Sequence, residues 1–185
     1  MTKYREAPPK AGAMIEALRG LGYSTAAALA DIIDNSISAE ASKIELFFQW
    51  NGQESKVFII DNGAGMSRDE LESAMRLGEK NPLESRTEKD LGRFGLGLKT
   101  ASFSQCRRLT VTSKRSDDAN SMHWDLDVIA SDPKDRWLLL DGYPSTIQSQ
   151  VKNFVNKTTS GTLVAWEVMD RVVTSKFTEQ DFLDL

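Results

Sequence analysis

Apolar and polar positions change period several times along the chain, and each change predicts an element. Ala13 to Arg19 reads as a short helix stopped by Gly20 and Gly22. Ser24 is placed to cap a longer helix from Thr25 to about Ala39, with Leu29, Ile32, Ile33 and Ile37 as its apolar surface. Lys43 to Gln49 and Lys56 to Ile60 read as strands joined through Asn51-Gly52, a hairpin signal. Ser67, with Glu70 three residues on, predicts a capped helix from Arg68 to Leu77. Leu96 to Phe103 reads as helix. Leu109 to Ser113, Ser121 to Val128, Trp137 to Leu140 and Thr162 to Val168 read as strands, and Thr178 as the cap of a last helix. The sum is a mixed α/β (α+β) pattern without internal repeats.

One stretch has no period. Gly78 to Leu91 is polar, rich in Lys, Arg and Glu, and contains Pro82. It reads as a mobile loop. A structureless loop of this length inside a compact domain is usually functional or disordered, and its place directly before a glycine motif suggests a lid at about residues 78–94.

Length and composition then narrow the picture. A chain of 185 residues is most simply one domain, 1–185, able to bury a substantial core. The net charge of -4 gives no electrostatic footprint for nucleic acid. Cys106 is the only cysteine, which excludes an intrachain disulfide and points to a reducing, cytoplasmic compartment. No apolar run resembles a signal peptide or a bilayer span.

Four short motifs carry the candidate chemistry: DIIDNS (Asp31 to Ser36), DNGAGM (Asp61 to Met66), GRFGLG (Gly92 to Gly97) and SGT (Ser160 to Thr162). On the second helix, Asp31 and Asn35 share a face, with Ser38 near it. Asp and Asn are poor formers of helix interiors. A carboxylate one turn from a carboxamide can place a water beside a hard cation such as Mg²⁺; a solvated polar stripe is the other reading. Asp61 ends a continuous apolar strand, where a partly buried carboxylate needs donors, and an adenine amine is one. Gly63 and Gly65 allow close backbone approach, and Met66 offers a soft surface to a base. Turn chemistry explains Asp-Asn-Gly equally well. The glycines of GRFGLGLKTAS precede a helix and suit an anion. A P-loop requires Gly directly before Lys-Ser/Thr, but Leu98 precedes Lys99. A dinucleotide fingerprint starting at Gly95 requires Gly at the position of Thr100.

The four motifs in this order resemble the GHKL ATPases, the superfamily of the gyrase B subunit, the ninety-kilodalton heat-shock chaperone, histidine kinases and MutL. The resemblance runs from about Ala27 to Val164. ALADIIDNSISAEASKI resembles the MutL and MORC form of the N-box, and GRFGLGLKTAS, with Lys99, resembles MORC-type ATPases and bacterial relatives. No phosphoacceptor helix precedes the N-box, and the only histidine, His123, falls in a predicted strand as a structural residue.

The resemblance implies a two-layer sandwich, a mixed and mostly antiparallel sheet with helices on one face, binding ATP (or ADP) with Mg²⁺ beneath the lid. By position it implies Asn35 as the Mg²⁺ ligand and Asp61 as the adenine reader, with Gly65 and Met66 lining the base pocket. It implies Gly92, Gly95, Leu96, Gly97 and Leu98 as the phosphate loop, Lys99 as a phosphate contact and Thr162 as the residue closing the adenine side. The general base falls at Asp31, where the superfamily usually has Glu. A carboxylate one methylene shorter holds an attacking water less well, since a misplacement of roughly 1 Å can cost on the order of 10²-fold in rate. Ser38 stands where MutL-type N-boxes commonly carry Asp.

The resemblance further implies ATP-dependent homodimerisation and a downstream transducer domain or partner protein supplying a cation to the γ-phosphate. The chain is therefore expected to be the N-terminal part of a longer protein. Three functions follow: a slow Mg²⁺-dependent ATPase whose lid drives conformational change or dimerisation; a nucleotide-gated binding module with negligible hydrolysis; and an interaction domain without nucleotide.

Overall fold

The computed structural model describes residues 3–20, 22–78, 97–174 and 176–185. Most of the expected lid, with Gly92, Gly95 and Leu96, lies outside the described residues.

Seven helices and six strands appear among the described residues. Helix α1 (Ala11–Arg19) is followed by α2 (Thr25–Ser38), β1 (Ile44–Gln49), β2 (Lys56–Asp61) and α3 (Arg68–Met75). Then come α4 (Gly97–Phe103), β3 (Arg108–Arg115), β4 (Asp118–Asp125), α5 (Leu126–Ser131), β5 (Leu140–Asp141), α6 (Gln148–Lys157), β6 (Ser160–Glu167) and α7 (Glu179–Leu183). The strands form one sheet in the order β1-β2-β6-β3-β4-β5, with every neighbouring pair antiparallel.

The caps follow the sequence. The Ser24 hydroxyl accepts from Ala27 N at the start of α2. Ser67 and Glu70 close a reciprocal capping box on α3, and Thr178 with Asp181 does the same for α7. Each box satisfies backbone donors that the first helical turn leaves unpaired.

Alternation along the strands makes two unequal layers. Val57, Ile59, Leu109, Val111, Val164 and Trp166 turn one face of the sheet to the main core, where Ile15, Leu29, Ile32, Leu71 and Phe103 from the helices meet them. Phe58, Leu163 and Ala165 face the other way, beneath Ile147, Val151 and Phe154. The sandwich thus has its helical layer on one face, and α6 adds a smaller cover to the opposite one.

Several elements differ from the sequence reading. The stretch Ser121 to Val128, expected as one strand, ends at Asp125, whose carboxylate accepts from Asp127 N and Val128 N and starts α5 instead. Expected strand Trp137 to Leu140 shrinks to the two residues of β5. The β1–β2 connection contains a 3-10 turn at Gly52–Glu54. Ile37, expected on the apolar face of α2, is 53% exposed. Helix α6 was not expected, although Ile147, Val151, Phe154 and Val155 recur at helical spacing. His123 lies in β4, with Nδ1 3.0 Å from the Gly142 carbonyl oxygen.

Candidate functional site

The register of three strands builds the polar end of the site. Asp61 on β2 stands opposite Thr162 on β6, and Thr162 opposite Ser113 on β3. One step further into the sheet, Ile59, Val164 and Val111 occupy the equivalent positions. Strand periodicity therefore sets a row of polar groups above a row of apolar ones, all facing the helices.

Asp61 is buried and held by three protein donors. Its Oδ1 accepts from Gly63 N at 2.9 Å and from Thr162 N at 3.1 Å. Its Oδ2 accepts from the Ser36 hydroxyl at 2.9 Å. Each carboxylate oxygen has two acceptor sites, so Oδ2 keeps one for a further donor. Beside it the Thr162 and Ser113 hydroxyls are 3.0 Å apart, and Ser113 Oγ accepts from Met66 N at 2.8 Å. Ser113 thus ties the Gly65-Met66 turn to the sheet. Neither Ser36 nor Ser113 stood out as a site residue in the sequence. The available signal was a serine at an inward position at the end of β3's alternation.

A cavity of about 600 Å³ opens here between α2, α3 and the start of α4. Most of the expected residues converge on it: Asn35, Asp61, Gly65, Met66, Gly97, Leu98, Lys99 and Thr162 all line its wall. Its size is within the usual range for sites that enclose a drug-sized ligand. Lys99 is buried, and its Nζ donates to the Ala74 carbonyl at 2.7 Å, at the C-terminal end of α3.

On α2, the Asn35 side-chain nitrogen donates to the Asp31 carbonyl at 2.8 Å. Only the nitrogen can donate to a carbonyl, so the amide oxygen is left free as an oxygen ligand. Among the described residues no three His, Cys, Asp or Glu side chains gather to hold a metal. A cation at Asn35 would thus take few protein ligands, the manner in which Mg²⁺ is commonly bound with waters and phosphates.

Asp31 does not line the cavity wall among the described residues. Its Oδ2 faces the start of α4, 3.8 Å from where a Cβ on Gly97 would stand. The Tyr23 hydroxyl lies beside Asp31 and Thr100. Burial, and then the hydrogen bond to Asp31, raise the tyrosine's pKa above its ordinary value. Gln105 holds the same segment, donating from Nε2 to the Tyr23 carbonyl at 3.4 Å.

A sheet-borne carboxylate at one end of a cavity, with a helix start and a lysine at the other, defines a domain of the nucleotide-binding class. The sequence profile of the histidine kinase-, DNA gyrase B- and HSP90-like ATPases matches residues 23–162, and the chain belongs to this family. The ATPase morc-1 of Caenorhabditis elegans is 30% identical over 88 residues, covering 48% of this chain and 10% of the relative. The DNA mismatch repair protein MutL of Borreliella afzelii is 34% identical over 89 residues, covering 46% of this chain and 14% of the relative. MutL of Allorhizobium ampelinum is 37% identical over 98 residues, covering 52% and 15% respectively. The chain thus spans only about a tenth to a seventh of these relatives' length. Membership of this family implies ATP binding. Among the described residues no helix is long and apolar enough to cross a membrane.

Proposed function

We propose that the domain binds ATP with Mg²⁺, hydrolyses it slowly, and works as the nucleotide switch of a longer protein. The observation that carries this reading is Asp61. Three protein donors fix its carboxylate in a buried place on the cavity wall, and one acceptor site is left for a further donor. An adenine amine supplies a donor there; the oxygen of guanine at the same place would set acceptor against acceptor. Met66 and Val164 offer apolar surface to the base, and Thr162 closes its edge. Asn35 would hold the Mg²⁺, which supplies charge neutralisation for the phosphates. Lys99 stands at the same end.

In this reading Asp31 accepts the proton of the attacking water, and Tyr23 steadies its carboxylate. The segment at about residues 78–94 closes over ATP as a lid, and ATP-bound domains dimerise. The MutL relatives are named for DNA mismatch repair.

A second reading, occupancy without hydrolysis, is favoured by one observation. The Asp31 carboxylate is turned to the start of α4, beside Tyr23, and among the described residues it does not line the cavity wall.

Two measurements test the pair. Calorimetric titration with ATP and a non-hydrolysable analogue, with and without Mg²⁺, is expected to show Mg²⁺-dependent binding; no binding to the wild-type chain would sink both readings. Phosphate release then separates them. Asp31→Asn is expected to lower turnover by about 10²-fold or more, the usual contribution of a positioned general base, and to leave ATP affinity unchanged. Turnover absent from the wild type would select the occupancy switch, whereas turnover indifferent to the substitution would keep hydrolysis and remove Asp31 as its base.

A further inference from the structure

Helix α3 forms one wall of the cavity, and the structure fixes what each of its ends touches. Its N-terminal end follows Met66, whose backbone N–H donates to Ser113 in the row shared with Asp61 and Thr162. Its C-terminal end meets Lys99, which donates to Ala74 O. The helix therefore runs alongside the cavity from the Asp61 row to Lys99, the places that the ATP reading gives to base and phosphates. At 1.5 Å of rise per residue it covers roughly 10 Å between them, and the sugar of a nucleotide occupies the middle of such a span.

Four α3 side chains line this wall: Asp69, Glu70, Ser73 and Ala74. Glu70 is already in use. It closes the capping box, accepting from Ser67 N at 2.7 Å, and pairs with Arg115 at 2.7 Å. The Ser67 backbone N–H and hydroxyl, and then Arg115, hold its carboxyl below the ordinary value. Asp69 and Ser73 differ. They are one helical turn apart on the same face, and among the described residues neither side chain has a hydrogen bond or ion pair. In the first turn of α3 the helix N-terminus favours the Asp69 charge, and its oxygens remain open to hydrogen-bond donors. A ribose presents two of them, and a carboxylate is the residue type that accepts ribose hydroxyls in other nucleotide folds.

We infer that Asp69, seconded by Ser73, accepts hydrogen bonds from the ribose hydroxyls and makes this site selective for ribonucleotides over deoxyribonucleotides. The inference rests on the ATP reading above and adds to it the part of the nucleotide that Asp61 does not read.

The test is competitive calorimetry on the whole chain with ATP, 2′-deoxyATP and 3′-deoxyATP, all with Mg²⁺. Hydrogen bonds to charged groups are worth enough that the wild type is expected to prefer ATP over at least one deoxy analogue by about tenfold or more. Asp69→Asn is expected to weaken ATP more than it weakens that analogue, so that the preference for ATP shrinks. Ser73→Ala is expected to give a smaller loss in the same direction. Asp69 is exposed and unbonded, so both variants are expected to melt like the wild type. Equal binding of all three nucleotides by the wild type would overturn the inference and leave the ATP site standing. So would an Asp69→Asn variant that loses ATP and both analogues by one common factor. Failure of the wild type to bind any nucleotide would instead remove the ATP reading, and this inference with it.

Discussion

Asp61→Asn is expected to abolish measurable ATP binding while leaving the fold in place. The substitution changes one atom, and its consequence follows from the donors around it. Gly63 N and Thr162 N both point at Oδ1. An asparagine must therefore place its own oxygen there, because the reverse orientation would set two buried N–H groups against an NH₂. Its nitrogen then replaces Oδ2. The Ser36 hydroxyl can rotate and accept from it, so the protein side stays satisfied. The adenine amine cannot rotate its polarity, and it meets a donor where the wild type offers an acceptor. A site built to hydrogen-bond a particular group rejects the mismatch by orders of magnitude, and a loss of at least about 10²-fold in ATP affinity is expected. Titration calorimetry reads the affinity, and thermal melting of the free protein checks the fold. Binding within a few-fold of wild type, with the melting temperature unchanged, would mean that Asp61 does not touch the base.

How much of this was legible beforehand depends on the range of each interaction. Caps are local, so Ser24, Ser67 with Glu70 and Thr178 were readable from a few neighbouring residues, and the structure uses all of them. The second helix and the two strands flanking Asn51-Gly52 were also visible, because their patterns are strong over short windows. What the sequence did not reveal is the row Asp61–Thr162–Ser113. It joins residues from three strands through sheet register, and no local window contains it. Ser36 lies within the DIIDNS motif, yet its partner Asp61 is distant in sequence, so no local pattern marks its hydroxyl. The fate of Leu126 was hidden for another reason. Val128 and Leu126 favour a strand by composition, but the Asp125 carboxylate captures two backbone donors and turns the chain into α5. Helix α6 carries a helical period in Ile147, Val151, Phe154 and Val155. Eight of the positions that the family resemblance implies lie on the cavity wall; the order of four motifs is a long-range signal that composition does not supply.

The close approach of β6 to the end of β2 gives the largest expected effect on stability, at Gly161. This residue has φ +140, and a Cβ built on it would lie 2.0 Å from the Asp61 carbonyl oxygen and 3.0 Å from Asn62 Cα. Both obstacles are backbone, so no side chain can turn aside. Gly65 repeats the situation from the other side of the site, with φ +67 and a Cβ only 1.9 Å from the Lys114 carbonyl oxygen. The two glycines let β2, β6 and β3 close around Asp61; with any side chain there, the strands must part and the Asp61–Thr162 hydrogen bond must break. Gly142 is the natural control. It also has positive φ, +80, but nothing stands within 4 Å of its Cβ position. Gly142→Ala therefore measures backbone strain alone, of order 1–3 kcal/mol. Gly161→Ala adds the steric conflict and the lost hydrogen bond, and is expected to cost roughly 4 kcal/mol or more. That is a large share of the roughly 5–15 kcal/mol by which domains are stable. Urea denaturation of the three proteins reads the difference at equilibrium. A Gly161→Ala variant no less stable than Gly142→Ala would show that β6 can withdraw from Asp61 at little cost, and that the backbone cradle around the carboxylate is looser than its distances indicate.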